Sequence, residues 1–162
     1  MPESSAAEML ADCCGSSRWV SEMIAARPFG SIEAVFSAAD RIWSSLSASD
    51  WVEAFEHHPR IGERTGAIPQ GERGAAWSSR EQAGIESAGD DVRKELAAVN
   101  QEYEQRFGYI YIVCATGKTS GEMLALARKR LRNAAGAEVR VAAEEQRKIT
   151  RLRLQKLLED IK

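Results

Sequence analysis

Ser31-Ile32-Glu33-Ala34-Val35-Phe36-Ser37-Ala38-Ala39-Asp40-Arg41-Ile42-Trp43 decides the fold class. Ile32, Val35, Phe36, Ala39, Ile42 and Trp43 recur at three- and four-residue spacing, which puts them on one stripe of an α-helix. Working outward, the same period returns on both sides. Residues from about Glu8 to Cys14 and from Arg18 to Ala26 make two short helices jointed at Gly15-Ser16-Ser17, with Ser17 as N-cap of the second. Ser47-Ala48-Ser49-Asp50 reads as a capping pattern with Asp in place of Glu, leading through Trp51, Val52 and Phe55 into His57 and His58, where Pro59 stops the helix.

Downstream, Arg60 to Ala76 lacks a period. Gly62, Gly66, Gly71, Gly74 and Pro69 mark an irregular loop of ~17 residues, and loops this long inside compact domains are often functional. A short helix from about Ser78 to Ala88 follows. Asp90 then caps a helix to about Arg106, with Val92, Leu96, Val99 and Tyr103 on one face. Phe107-Gly108-Tyr109-Ile110-Tyr111-Ile112-Val113-Cys114 is the one strand-like run, β-branched and aromatic, with no obvious partner run in the sequence. Thr119-Ser120-Gly121-Glu122 opens another helix with a capping-box pattern. A last long helix runs from about Ala137 to Leu158, with Val141, Ile149, Leu152 and Leu157 as inward candidates. The expectation is an all-α single domain over residues 1–162, a helical bundle of about eight helices with one short extended segment near 109–114.

Composition narrows the function. With 22 basic and 24 acidic residues the formal charge is −2, which argues against nucleic acid as a partner, because such binders carry a basic excess. No apolar run approaches the ~20 residues that span a bilayer, and Met1-Pro2-Glu3-Ser4-Ser5 does not read as a signal peptide. Cys13, Cys14 and Cys114 are an odd set with two adjacent, which is no disulfide framework. Small buried thiols in a reducing cytoplasm are the expectation.

Proton chemistry at neutral pH points to the only two histidines, His57 and His58. His58 stands at a helix end beside a proline and a glycine-rich loop, a setting that turns an imidazole toward a cleft. A helix C-terminus also favours a histidine for its charge alone. Ser78-x-x-Glu81 matches a capping box, and Glu81 could equally orient an imidazole while Gln82 offers a donor and an acceptor. His57, His58, Glu63 and the cysteine pair match no known zinc spacing, so no metal is expected, though a metal-dependent hydrolase built on the histidine pair stands as a third reading. An arginine turned inward from Arg147 to Arg153 could clamp a carboxylate. A non-catalytic helical protein-interaction module is the alternative to an enzyme.

Taken together, several segments resemble the 2-oxo-4-hydroxy-4-carboxy-5-ureidoimidazoline (OHCU) decarboxylases of urate breakdown. They are Cys13-Cys14-Gly15-Ser16 with Trp19, Arg27-Pro28-Phe29, His58-Pro59-Arg60-Ile61-Gly62, Trp77-Ser78 through Glu81-Gln82-Ala83-Gly84, Tyr103 through Ala115, Arg130-Leu131 with Asn133, and Ile149 through Leu154. The resemblance implies an all-α homodimer without metal or organic cofactor, acting after 5-hydroxyisourate hydrolase and releasing (S)-allantoin and carbon dioxide from the small-molecule substrate OHCU. It implies that His58 is the catalytic histidine and Glu81 the carboxylate beside it. Ser78 and Gln82 would hold ureido and ring groups, and Pro59 would line the pocket. Ile112, Val113, Cys114, Ala115 and Thr116 would offer backbone hydrogen bonds. Arg153 matches the substrate-binding arginine, with Arg130 as the other candidate. Thr116-Gly117 stands where some relatives carry an arginine.

Overall fold

The computed structural model describes residues 1–60 and 89–162. Seven α-helices occupy them: α1 Glu3–Cys13, α2 Ser17–Ala25, α3 Ile32–Ser45, α4 Ala48–Glu56, α5 Asp90–Phe107, α6 Ser120–Arg130 and α7 Ala135–Asp160. The described part is all-helical, as expected, with seven helices where about eight were expected for the whole chain. The helix expected from about Ser78 to Ala88, and most of the loop expected from Arg60 to Ala76, lie outside the described residues.

Helix starts follow local hydrogen-bond chemistry, with corrections of a residue or more. Ser16, not Ser17, caps α2: its hydroxyl accepts from Trp19 N at 3.2 Å, while Ser17 turns its own N–H and hydroxyl to Glu53. Gly89, not Asp90, precedes α5. α1 begins five residues before the expected Glu8, at Glu3. Ser47 N donates to Asp50 Oδ2 at 3.3 Å, so Asp serves where the capping box usually has Glu. At α6, Thr119 Oγ1 accepts from Glu122 N at 3.1 Å, but its hydroxyl rather than its backbone N–H meets the Glu122 carboxylate. Gly108 ends α5 at φ +84, a left-handed conformation that glycine adopts without cost.

Two apolar clusters result. The larger gathers α1 to α4 and α7 around Trp19, Met23, Ile42, Trp43, Phe55 and Leu154. The smaller sits between α5 and α6 around Leu96, Tyr103, Met123 and Ala127. Three indoles tie the larger cluster to backbone: Trp19 Nε1 donates to Ala39 O, Trp43 Nε1 to Ala143 O and Trp51 Nε1 to Trp43 O, at 3.2, 2.9 and 2.9 Å. A buried indole needs such a partner, and these three also set the distances between α2, α3, α4 and α7.

The strand-like run forms no sheet among the described residues. It threads between the two clusters with alternating side chains: Ile110, Ile112 and Cys114 join the larger, Tyr111 and Val113 the smaller. That alternation is the property read from the sequence. Side chains take the place of a partner strand in satisfying its backbone. Arg130 Nη1 donates to Ile112 O at 2.6 Å, Cys114 N donates to Glu145 Oε1 at 3.2 Å, and Lys118 Nζ donates to Cys114 O at 2.9 Å. All three cysteines are buried and free of disulfides.

Candidate active site

α4 ends at Glu56 because Pro59 cannot continue it, and the last amides tighten onto nearby carbonyls: His57 N donates to Ala54 O and His58 N to Phe55 O, each at 3.2 Å. This turn separates the two neighbouring histidines. His57 stays exposed, and His58 is driven inward to 8% exposure. Both line a cavity of about 540 Å³ whose other walls come from α1, the start of α2, α4 and α7. Gly15 makes the fit possible, since a Cβ there would lie 2.6 Å from His57 Cβ.

Arg153 reaches the same cavity from α7, almost fully buried, and its Nη1 donates to Asp12 O at 3.2 Å. Glu53 closes another wall. Its carboxylate accepts from Ser17 N at 2.6 Å and Ser17 Oγ at 3.0 Å, a negative group on the positive end of α2. The cavity therefore presents an imidazole and a guanidinium, with Glu8 and Asp12 of α1 also on its walls and Glu53 turned onto a helix end.

Electrostatics set the state of His58. Burial pushes its pKa down to about 3, the nearby Arg153 charge pushes the same way, and a hydrogen bond to Gln146 opposes both. The ring is neutral at physiological pH, with its two nitrogens available as one donor and one acceptor. Cys14, on the same wall, is inert: burial pushes its thiol up to about 11, against hydrogen bonds from the Ser16 backbone and Thr150.

Arg130 has a different place. Its Nε donates to Glu138 Oε1 at 2.6 Å and its Nη1 to Ile112 O, while the guanidinium lies 4.7 Å from the centre of the Tyr111 ring. Glu138 also accepts from Asn133 Nδ2 at 2.9 Å and from the Tyr103 hydroxyl. Burial disfavours the Arg130 charge, but Tyr103, Glu138 and Tyr111 outweigh it, and its pKa is raised. Arg130 clamps the extended segment and does not line the cavity.

Of the residues singled out in the sequence, His58 and Arg153 meet at one cavity. Pro59 is half-buried beside His58 but is not one of the cavity-lining residues. Ile112, Val113, Cys114, Ala115 and Thr116 are not on its walls; the first three are packed into the apolar clusters and Thr116 is exposed. Ser78, Glu81 and Gln82 lie outside the described residues. No group of three or more His, Cys, Asp or Glu side chains among the described residues is arranged to hold a metal.

A family model described as OHCU decarboxylase matches residues 1–155. The chain belongs to the OHCU decarboxylase family. An OHCU decarboxylase of Amia calva is 30% identical over 138 residues, covering 82% of this chain and 75% of that protein. The uric acid degradation bifunctional protein TTL of Arabidopsis thaliana is 36% identical over 148 residues, covering 91% of this chain but 46% of the plant protein. A similar bifunctional protein of a Bacillus strain is covered to 28%, so the chain spans less than half the length of either. Among solved structures, an OHCU decarboxylase crystallised in the presence of (S)-allantoin has 35% identity and a TM-score of 0.80, covering 94% of this chain and 98% of that one.

In this member of the family, sequence reasoning missed three residues on the cavity or directly behind it: Glu53, Gln146 and Thr150. Glu53 reads as the polar face of α4. Gln146 and Thr150 sit on the buried face of α7 with Glu138, Ile149, Arg153, Leu154 and Leu157. Spacing was the available signal, because 146, 150 and 153 share a face with Ile149 and Leu157.

Proposed function

We propose that this chain decarboxylates OHCU to (S)-allantoin in urate degradation, without a cofactor, using His58 as acid and base. The observation that carries this reading is the joining of His58 and Arg153 at one cavity in a chain that matches the OHCU decarboxylase model across residues 1–155.

The chemistry suits the residue types. Breaking the bond to the carboxylate leaves an electron pair on the ring carbon, and the adjoining imine-like unsaturation takes it up. The substrate thus carries its own electron sink. The protein has to hold the carboxylate, remove the hydroxyl proton and return a proton to one face of the ring. Arg153 supplies a guanidinium for the anionic group. A neutral His58 begins as the base, accepts the hydroxyl proton, and as imidazolium donates to carbon. One proton from water balances the charge lost as carbon dioxide is released from the carboxylate. A positioned acid–base group of this kind contributes about 10²–10⁴-fold. Glu81 would stabilise the imidazolium, with Ser78 and Gln82 holding ureido and ring groups.

The chain would work as a cytoplasmic homodimer on the product of 5-hydroxyisourate hydrolase. The bifunctional names of two relatives, one about twice its length and one longer still, fit that neighbourhood. No helix among the described residues is long and apolar enough to cross a membrane.

Freshly generated OHCU mixed with the protein should decay faster than in buffer, and circular dichroism should show (S)-allantoin alone. A decay rate equal to that of buffer, or a racemic product, overturns the reading.

A further inference from the structure

His58 does not stand alone in its wall. Its Nε2 lies 2.6 Å from Gln146 Oε1, and Gln146 Nε2 donates to Thr150 Oγ1 at 3.0 Å. Gln146 is 0% exposed and does not line the cavity, whereas His58 does. Gln146 and Thr150 are one turn apart on α7, so the helix itself holds the amide.

The orientation of the amide follows from its two neighbours. The Thr150 hydroxyl bonds toward the Cys14 thiol, which leaves its oxygen lone pairs for the Gln146 NH₂. The Gln146 carbonyl oxygen therefore faces the imidazole. A carbonyl only accepts, so the nitrogen it meets must carry the proton. A neutral imidazole has one N–H, and the other nitrogen holds the free lone pair.

We propose that Gln146 is a positioning residue that locks His58 as the Nε2–H tautomer, making Nδ1 the nitrogen that exchanges a proton with the substrate. This rests on the decarboxylase reading for the identity of the substrate, but the tautomer itself does not. The relay has three links: Thr150 orients Gln146, Gln146 orients His58, and His58 offers one nitrogen to the cavity. No link touches the substrate except the last. Gln146 therefore contributes to kcat through the protonation state and angle of the ring, and contributes nothing to KM.

The charged and titratable groups around the ring and its cavity on the described elements are Arg153 of α7, His57 beside it, Glu53 of α4, Glu8 and Asp12 of α1 and the Cys14 thiol. Gln146→Leu leaves these in place and removes the acceptor. Gln146→Glu keeps the shape and adds a carboxylate on Nε2, which favours the imidazolium.

Nitrogen-15 NMR of the imidazole tests this without reference to activity. In the unmodified protein at pH 7, His58 should show a protonated Nε2 and an unprotonated Nδ1. Gln146→Leu should give a mixture of tautomers and lower kcat at least about tenfold, with KM within about twofold. Gln146→Glu should retain the Nε2–H form and move the His58 titration, and the acid limb of the pH–kcat profile, to higher pH. An Nδ1–H signal in the unmodified protein overturns the proposal, and so does a Leu variant with an unchanged tautomer. Should Gln146→Leu fail to fold, the spectra of the unmodified protein and of Gln146→Glu still decide. Absence of OHCU decay in the unmodified protein, together with a clean Nε2–H spectrum, would refute the substrate and leave the tautomer standing.

Discussion

Arg153 and His58 face the same cavity, and the guanidinium helps to keep the imidazole neutral. A positive charge beside a base has two uses in a decarboxylase. It offers an anion-binding group, and it discourages premature protonation of the ring. Arg153→Gln should therefore raise KM for OHCU by at least about tenfold, since the guanidinium proposed to hold the substrate's anionic group is lost. It should also let His58 protonate at higher pH than in the unmodified protein. Steady-state kinetics measure the first effect and NMR titration the second. An unchanged KM would remove Arg153 from substrate binding.

Burial of a neutral His58 makes stability depend on pH with a definite sign. The folded pKa, about 3, lies below the ordinary value of 6.5. Between these two values the unfolded chain binds a proton that the folded chain does not, so acid favours unfolding. The contribution is fully present above about pH 6.5 and is lost as pH falls toward 3, at up to ~1.4 kcal/mol per pH unit. Urea unfolding from pH 7 to pH 4 should show His58→Asn with a shallower loss of stability than the unmodified protein. Equal slopes would mean that His58 titrates normally in the folded state.

The two histidines should separate in function as they do in burial. His58→Ala should abolish nearly all activity, about 10²–10⁴-fold in kcat. His57→Ala should keep most of it, because its ring is exposed where that of His58 is buried. Gly15→Ala is the sharper probe of His57, since the added methyl would overlap its ring and push it into the cavity or out to solvent. That variant should raise KM more than it lowers kcat. If His57→Ala loses as much rate as His58→Ala, the assignment of the base is wrong.

Helices were legible in the sequence because their apolar spacing is a local property. Trp43, Ile42 and Ala39 are buried at the positions their spacing demands. α7 shows where such reading stops. Val141 was expected inside and is 37% exposed, while Glu138, Gln146, Thr150 and Arg153 point inward. Counting apolar residues misplaces the inner face of a helix whose buried groups are polar. Those groups are tolerated only because polar partners off the helix meet them: His58, far off in sequence, for Gln146, and the nearby Arg130 and Asn133 for Glu138. The same holds for the segment 109–114, whose extended character is written in its β-branched and aromatic residues. Of its side-chain partners, Lys118 is local, whereas Arg130 and Glu145 are brought to it by the tertiary fold. His58 and Arg153 were legible through family resemblance, whereas Gln146 required coordinates.

Glu138 and Arg130 provide the last test, because they separate a structural arginine from a substrate-binding one. Both are buried, with the Arg130 side chain 7% and the Glu138 side chain 0% exposed, and their Nε–Oε1 distance is 2.6 Å. Removing one partner leaves an uncompensated charge in the interior, which costs about 3–5 kcal/mol. Glu138→Ala also strips a partner from Asn133 and from the Tyr103 hydroxyl. Its urea midpoint should fall by more than about 1 M, given a slope of roughly 1–3 kcal/mol per M. Glu138→Gln should fall less, since an amide oxygen can still accept from Arg130. Because the pair clamps the Ile112 carbonyl and lies apart from the His58 cavity, KM for OHCU in Glu138→Gln should stay within about threefold at a temperature where it is folded. A tenfold rise in KM at unchanged stability would return Arg130 to the substrate site and displace Arg153 from it.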